Sequence, residues 1–224
     1  MSANITNTKK VTLLGMLAAI AYAVIFVCHF LIPPVAGFLT LDVKDTIIAI
    51  AGFIFGPLSA ALVGVVVAAV EMVTISATGP IGLVMNILSS CCFACVAALI
   101  YKRKHTLKGA IIGLIVGCLS ATVVMLLWNF LITPIYMGVP RATVAAMLVP
   151  VFLPFNLGKY ILNAALTMLI YKPIVTALRK ANLLAPSSSD AAPVQKKQHL
   201  GTILVSLLIL ITCILGFLVW QGVL

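Results

Sequence analysis

Charged residues are scarce in this sequence, and acidic residues are the scarcest of them. Asp, Glu, Lys and Arg together make up 8% of its 224 residues, whereas a soluble domain carries roughly 25%. Apolar residue types supply 63% of the chain. So small a polar fraction cannot cover the surface of a soluble domain, and the composition predicts an integral membrane protein.

Motifs for nucleotide hydrolysis and for metal binding are also missing. The sequence contains no Gly-x-x-x-x-Gly-Lys-Ser/Thr stretch, so the chain is not expected to hydrolyse ATP by itself. Cys92 and Cys95 form a Cys-x-x-Cys pair, but no second Cys or His pair accompanies it, and a zinc site needs about four ligands. We therefore expect no metal site and interpret the cysteines as small hydrophobic residues.

Apolar runs of about 20 residues, long enough to cross a bilayer as helices, recur along the chain. The first follows two lysines and has no Ala-x-Ala cleavage site close behind it, so we expect it to be retained. Gly56-Pro57 divides one run and Pro150 with Pro154 divides another, because such residues mark turns and helix starts. The predicted spans are 11–31, 46–55, 57–75, 81–101, 109–132, 154–178 after a short helix at 142–149, and 201–220.

These spans predict an all-α membrane protein in which a six-helix bundle is followed by an additional C-terminal transmembrane helix. Residues 1–184 form the membrane domain, 185–199 a Pro/Ser/Ala-rich cytoplasmic linker, and 200–224 the extra helix. Most of the 14 basic residues precede the first span, separate the fourth from the fifth, or follow the sixth. Because positively charged loops stay in the cytoplasm, we expect a cytoplasmic N-terminus. The expected external segments are 32–45, 76–80 and 133–141.

Polar side chains within the spans gather at one depth. With a rise of about 1.5 Å per residue, Glu71 lies about 21 Å along an outward-running span, and Asn86 about 8 Å from the outer face on the next. The other members of this level are Trp128, Asn129, Asn156 and Lys159. An intramembrane charge costs about 2.5–3.5 kcal/mol on insertion scales, so it usually faces a partner or a cavity. The shared depth favours a pocket open to the outside.

Each of these residues also has a purely structural interpretation. Trp128 is typical of an interfacial aromatic belt, and asparagines in spans are typical of hydrogen bonds between helices. Lys159 can snorkel to the outer headgroups or pair with Glu71. Asn156, Lys159 and Asn163 nevertheless follow i, i+3, i+7 spacing, which puts them on one helix face.

The first span carries small residues at every fourth position. Gly15, Ala19 and Ala23 follow this spacing, and Ala18 lies beside them. Small residues at i, i+4 and i+8 form a flat stripe that a second helix can approach closely. That helix belongs either to this chain or to another subunit.

Three segments resemble the substrate-binding S components of energy-coupling-factor (ECF) vitamin transporters, most closely the riboflavin-specific type. They are LTLDVKDTIIAIAGFIFGPLSAALVG at 39–64, WNFLITPIYMGVP at 128–140 and PFNLGKY at 154–160. The resemblance implies a six-helix bundle in the cell membrane that binds one vitamin near its outer face. It also implies assembly with a transmembrane coupling subunit, the T component, and two cytoplasmic ATPase subunits. The seventh span departs from the family, whose members usually end after six helices.

The resemblance also implies roles for individual residues. Asn156 and Lys159 would contact the isoalloxazine ring of riboflavin, the loop around Leu41 and Asp42 would close over it, and the small-residue stripe of the first span would contact the coupling subunit. The chemistry is suitable, because an asparagine pairs with both the carbonyls and the imide N–H of the ring while a lysine donates to the carbonyls.

Flavin chemistry suggests the remaining site residues. The ring system needs aromatic or aliphatic faces, which Trp128, Tyr136 and Phe155 offer. The ribityl hydroxyls need acceptors, which Glu71 or Asn86 would supply. We expect no cofactor, since riboflavin would be the transported ligand.

Other functions stay open at this point. The ligand could be another ring-bearing vitamin or a flavin derivative such as FMN, because its identity depends on Asn156 and Lys159 alone. A membrane-embedded enzyme would need paired acid and base groups, and within the spans only Glu71, His29 and Lys159 titrate usefully. A channel is disfavoured because the inner halves of the spans are almost purely apolar and lack a polar lining. We therefore expect a transport subunit and not an enzyme.

Overall fold

The computed structural model describes residues 7–35, 39–181, 183 and 196–220. Within these ranges the chain is helical and forms no strand. Two π-helical turns, Cys91–Cys95 and Leu148–Phe152, join α4 to α5 and α7 to α8. The helices are α1 Asn7–Leu31, α2 Lys44–Phe55, α3 Pro57–Thr74, α4 Gly79–Ser90, α5 Val96–Arg103, α6 Leu107–Met137, α7 Arg141–Met147, α8 Leu153–Lys180 and α9 Lys196–Trp220.

Long apolar helices dominate the described residues. Five stretches have the length and composition to cross a membrane, which are Asn7–Leu31, Pro57–Thr74, Gly79–Arg103, Leu107–Met137 and Arg141–Leu178. The predicted all-α membrane bundle is therefore confirmed. The apolar part of α9 within the described residues, Ile203–Phe217, is shorter.

Helix α2 lies at the centre of the bundle. It has 12 residues, a length of about 18 Å, which is short of the roughly 30 Å hydrocarbon core. Its residues from Lys44 to Phe53 are all buried, and it packs against α1, α3, α8 and the first π-helical turn. Gly56, at a φ of 96°, and Pro57 in the first turn of α3 produce the reversal that the sequence predicts here.

The first π-helical turn and α6 approach each other closely. The wider π turn changes the backbone hydrogen-bonding pattern, and Ser120 Oγ of α6 donates to the carbonyl of Cys92 at 2.7 Å. A Cβ atom added at Gly117 would lie 2.5 Å from the carbonyl oxygen of Phe93. Because no side chain fits in that space, a glycine is needed where these two backbones meet.

Two of the predicted boundaries differ from the structure. The second π-helical turn contains Pro150 and makes the short helix at 142–149 continuous with α8, since a π turn can accommodate a residue without an N–H. Helix α6 continues through Pro134 to Met137, beyond the predicted end of its span at residue 132. Prolines are tolerated in membrane helices because neighbouring groups satisfy the freed backbone. Gly138, at a φ of 65°, ends the helix.

The apolar core has two parts. The larger lies around α2 and includes Ile48, Val67, Phe93 and Leu114. The smaller lies at the end of the bundle where the loop after α1 meets the second π-helical turn, and its buried residues are Leu39, Val144, Phe152 and Phe155.

Helix α9 packs against α8. It begins at Lys196, inside the segment 185–199 that the sequence suggests as a linker. Residues 184–195 lie outside the described residues, so the division into membrane domain, linker and extra helix stays a prediction.

Candidate functional site

A buried ion pair ties the loop after α1 to α8. Lys159 Nζ lies 2.7 Å from Asp42 Oδ2, and the two side chains are 9% and 2% exposed. Burial disfavours the charged form of Asp42, but the ammonium groups of Lys159 and Lys44 outweigh that effect and hold the pKa of this carboxyl below its usual range. The pair therefore connects two predicted site residues that are far apart in the sequence.

Asn163 reinforces the same connection through its amide group. Its Nδ2 donates to the carbonyl of Asp42 at 3.0 Å and to that of Lys159 at 2.9 Å. Its Oδ1 accepts from the backbone N–H of Thr46 at 2.8 Å. Val43, which precedes α2, has an apolar side chain that cannot cap a helix, so Asn163 of α8 satisfies one of the free N–H groups of α2 in its place.

Glu71 and Asn86 meet, as their shared depth predicts, but the cation beside them is Lys44. Lys44 Nζ lies 2.5 Å from Glu71 Oε2, and Asn86 Nδ2 donates to Glu71 Oε1 at 2.8 Å. The alternative pairing of Glu71 with Lys159 is therefore wrong, since Lys159 takes Asp42. The reason is that Lys44 lies in the first turn of the buried helix α2 and not in a solvated loop.

Asp45 places a further carboxylate at this end of the bundle. It is fully buried, and its Oδ1 accepts from Ser90 Oγ at 2.5 Å. Its Oδ2 has no hydrogen-bond partner within the described part of the chain. Among the described residues, the buried cluster thus contains the acidic side chains of Asp42, Asp45 and Glu71 and the basic side chains of Lys44 and Lys159.

A cavity of about 780 Å³ opens beside the Asp42–Lys159 pair. Of the predicted site residues, Leu41, Phe155 and Lys159 line it. Its walls come from the end of α1, the loop that follows, the start of α8 and the last part of α9. The other lining residues are Leu31, Ile32, Pro33, Val43, Pro150, Pro154, Gly158, Leu162, Leu166, Leu210, Cys213, Ile214, Gly216 and Phe217.

Asn156 and Asn129 are buried within the bundle and bonded to their own helices. Asn156 Nδ2 donates to the carbonyl of Phe152 at 2.7 Å. Asn129 Nδ2 donates to the carbonyl of Met125 at 2.7 Å, and its Oδ1 accepts from Thr133 at 2.9 Å. Neither amide group lines the cavity beside Lys159.

Trp128 and Tyr136 lie elsewhere. They line a separate space of about 10 Å³ between α4 and α6, together with Met85 and Thr133. Tyr136 is 36% exposed. The structure therefore does not bring these two rings to the cavity that Lys159 lines, and Phe155 is the predicted aromatic side chain that does reach it.

The small-residue stripe of α1 is mostly exposed. Gly15, Ala19 and Ala23 lie on an outward surface of the described bundle. Ala18 instead is buried and packs in the larger core, so it does not belong to that surface. Because positions 18 and 19 point in different directions on a helix, sequence adjacency alone could not separate the two.

Sequence reasoning missed Lys44, Asp45 and the lining residues of α9. A signal for the first two was present, because the charged sequence Asp-Val-Lys-Asp runs directly into an apolar helix. Nothing in the sequence of α9 indicated that it lines the cavity, since the sequence shows only that this helix is apolar.

The family model described as "ECF transporter, substrate-specific component" matches residues 9–171. The chain is 31% identical over 186 residues to the riboflavin transporter RibU of Staphylococcus aureus, covering 79% of this chain and 96% of that protein. It is 29% identical over 193 residues to the riboflavin transporter FmnP of Bacillus subtilis, covering 79% of this chain and 99% of that protein. A solved structure described as "Structure and mechanism of the S component of a bacterial ECF transporter" superposes with a TM-score of 0.66 at 29% identity, covering 78% of this chain and 99% of that one.

Proposed function

The chain belongs to the family of substrate-specific components of ECF transporters and is a multi-pass membrane protein, and from this premise we propose that it captures riboflavin. Support comes from two relatives that are both named riboflavin transporters. In this proposal the vitamin enters at the end of the bundle where the loop after α1 meets α8, and the chain passes it on without chemical change.

The observation that carries the proposal is the position of Lys159. It lies in the Pro-Phe-Asn-x-x-Lys sequence, lines the cavity, and is held by the carboxylate of a loop residue on the same side. A cavity of about 780 Å³ is within the roughly 300–1,000 Å³ that small-molecule sites occupy, and such sites combine apolar walls with few polar groups. Lys159 would donate to a ring carbonyl while Phe155 and Leu41 contact the ring face.

The scarcity of charged groups around the cavity favours riboflavin over FMN as the proposed ligand. A phosphate group carries a charge of about −1.5 to −2 at neutral pH and needs cationic partners. Lys159 is the charged side chain among the described residues that line the cavity, and its ammonium group is already paired with Asp42. We therefore propose the uncharged vitamin as the ligand and expect FMN to compete poorly.

The proposal includes an orientation and partners. The cavity end faces outward and the N-terminus faces the cytoplasm, which the distribution of basic residues supports. A T component and two cytoplasmic ATPase subunits would supply the energy. The exposed stripe of Gly15, Ala19 and Ala23 would contact the T component, because it admits the backbone of another helix.

The test is a riboflavin titration of Lys159→Ala, with Lys104→Ala, an exposed loop lysine, as the control. A lost hydrogen bond from a charged group costs about 1.5–3 kcal/mol, so we expect affinity to fall by about tenfold or more in Lys159→Ala and to stay unchanged in the control. Calorimetry in detergent measures both, and adding FMN as a competitor tests the ligand. Equal affinity of the two variants would remove Lys159 from the binding site.

A further inference from the structure

The charged side chains on the described surface of the chain are all basic. The sequence contains four Asp and Glu residues, and the three that the structure describes, Asp42, Asp45 and Glu71, are buried inside the bundle. The fourth, Asp190, lies outside the described residues. Within the described chain, no exposed acidic side chain competes for the exposed lysines and arginines, so these residues can attract an anion from outside.

The densest group of exposed basic residues surrounds the short loop between α5 and α6. Lys102, Arg103, Lys104 and Lys108 are all exposed. Helix α5 ends at Arg103, and α6 begins four residues later at Leu107. Both helices belong to stretches that are long and apolar enough to cross a membrane. The group therefore lies where two spans leave the bilayer, at the level of the phospholipid headgroups.

This loop is ordered by its own backbone and by the start of α6. The N–H of Thr106 donates to the carbonyl of Lys104 at 2.7 Å. Thr106 Oγ1 accepts from the N–H of Gly109 at 3.1 Å and so caps α6. A Cβ atom added at Gly109 would lie 2.1 Å from the carbonyl oxygen of Lys104, so the loop lies directly on the first turn of α6. This contact brings Lys104 close to the turn that carries Lys108.

Two tyrosines mark the same level of the bundle. The hydroxyl groups of Tyr101 on α5 and Tyr171 on α8 are 3.1 Å apart, and the Tyr101 ring packs against the buried Phe53 with a centroid distance of 4.6 Å. Tyrosines are enriched where a membrane protein meets the headgroup region. Lys172 directly follows Tyr171, so α8 also changes from apolar to basic at this level.

The helix faces next to the basic group are apolar and exposed. Leu99 precedes Arg103 by four residues on α5, and Ile112 follows Lys108 by four residues on α6, so each pair shares one helix face. Both apolar side chains are exposed. A molecule with an anionic head and hydrocarbon chains matches this sequence of basic and apolar surface. The positive end of the α6 dipole adds to the attraction for a phosphate.

We propose that the loop between α5 and α6 binds the phosphate group of an anionic phospholipid. Arg103, Lys104 and Lys108 are its cationic partners, and the acyl chains lie along the exposed faces of α5 and α6 that carry Leu99 and Ile112. Clusters of basic residues next to a membrane span favour anionic lipids by about one order of magnitude in affinity for each one or two residues. A zwitterionic lipid binds less well, because its headgroup brings its own cation. The inference does not depend on the identity of the transported vitamin.

Two double variants that remove equal charge test the site. Lys104→Gln/Lys108→Gln removes two positive charges at the loop, and Lys9→Gln/Lys10→Gln removes two at the start of α1. Each purified full chain is titrated in detergent with phosphatidylglycerol and with phosphatidylcholine, and bound lipid is counted by native mass spectrometry. We expect the wild type and the α1 variant to bind phosphatidylglycerol at least tenfold more tightly than phosphatidylcholine. The loop variant should lose most of this preference.

Gly109→Ala tests the geometry of the loop without changing any charge. The added methyl group would overlap the carbonyl of Lys104 and displace the loop from α6. We expect weaker binding of phosphatidylglycerol in this variant than in the wild type. Gly201→Ala is the control, because its Cβ meets nothing within 4 Å, and it should bind as the wild type does. Thermal unfolding of each protein in detergent shows that the bundle is intact.

The other outcomes overturn the proposal in different ways. Equal binding of the two lipids by the wild type means that the loop has no headgroup site. Equal losses in the two double variants mean that overall charge is responsible. Displacement of phosphatidylglycerol by inorganic phosphate, but not by chloride at the same ionic strength, assigns the loop to a free phosphate ion. Unchanged lipid preference in Lys104→Gln/Lys108→Gln, with vitamin uptake by cells lost, assigns it to an acidic protein partner.

Discussion

Lys44 and Lys159 each place an ammonium group inside the bundle, and each meets a carboxylate from another part of the chain. Lys44 pairs with Glu71, and Lys159 with Asp42. Asp45 is buried beside them with one oxygen lacking a partner within the described residues. Acidic side chains thus outnumber basic ones by three to two in this described cluster. We expect the five side chains to differ in their effect on stability, because removing a paired carboxylate takes away the direct partner of a buried lysine whereas removing the Asp45 carboxyl does not.

Two carboxylate-to-amide substitutions test whether losing a paired acid costs more stability than losing Asp45. Glu71→Gln removes the carboxylate that the buried Lys44 ammonium group contacts directly, and breaking such a pair typically costs about 3–5 kcal/mol. Asp45→Asn keeps the shape of the side chain and leaves both direct ion pairs in place. We expect thermal unfolding in detergent to show a much larger loss of stability for Glu71→Gln than for Asp45→Asn. Equal losses, or the reverse order, would contradict the pairing of Lys44 with Glu71.

The Asp42–Lys159 pair makes a prediction about pH. The pKa of Asp42 is lowered in the folded protein, so its ionised form contributes stability that is present above the unfolded pKa of about 3.9 and is lost as pH falls through the lower folded pKa. We therefore expect the difference in unfolding temperature between the wild type and Asp42→Asn to be constant from about pH 5 to 8 and to shrink only below about pH 4. A difference that disappears near pH 6 would show that another group controls this contact.

The sequence allowed part of this cluster to be predicted. Glu71, Asn86 and Lys159 could be placed near one level from helix rise alone, and the structure does join Glu71 to Asn86. Which cation meets which carboxylate could not be predicted, because that depends on α2 being a buried half-length helix that carries Lys44 inward. Trp128 and Tyr136 show the same limit, since depth says nothing about the direction in which a side chain points.

Among the elements, the first π-helical turn decides how closely the helices pack. The chain from Gly79 to Arg103 reads as one apolar helix, and hydropathy gives no sign that Cys91–Cys95 widens into a π turn. The contact of this turn with α6 at Gly117 and Ser120 is equally hidden in the sequence. The length of an apolar run therefore predicts that a helix is present. It does not predict how closely that helix packs against its neighbours.

Gly117→Ala tests the packing at this turn. The added Cβ atom would lie 2.5 Å from the carbonyl oxygen of Phe93, so the helices must separate. Overpacking of this kind costs about 1–3 kcal/mol. Gly201→Ala is the control, because its Cβ meets nothing within 4 Å and alanine favours a helix. We expect a lower unfolding temperature only for Gly117→Ala; no change there would mean that the bundle is looser than the structure shows.

At the scale of the whole molecule, the exposed helix surfaces determine where another protein subunit can bind. The stripe of Gly15, Ala19 and Ala23 is an outward surface of small residues on α1, and Ala18 behind it belongs to the core. The cavity, by contrast, is lined by residues at the ends of α1 and α9 and the start of α8. The proposed regions for ligand capture and for subunit contact are thus different, and we expect that they can be disrupted separately.

Uptake and binding measurements on Ala19→Trp and Ala23→Trp test this separation. A bulky ring on the stripe prevents close approach of a partner helix but leaves the cavity intact. We expect riboflavin uptake by cells to be abolished while the purified variants bind riboflavin with wild-type affinity. Leu208→Trp, at a lipid-facing position on α9, is the control and is expected to transport normally. Loss of binding together with uptake would mean that the stripe supports folding of the chain itself.

A direct riboflavin titration of the purified wild-type chain tests the central claim, that the cavity beside Lys159 holds the vitamin. Flavin fluorescence, quenched when the ring is enclosed by the protein, is followed as protein is added, and the flavin that survives purification is measured by absorbance. We expect saturable quenching that ends at one riboflavin per chain, together with loss of affinity in Lys159→Ala. Purified, folded protein that carries no flavin and leaves riboflavin fluorescence unchanged at every concentration would contradict it.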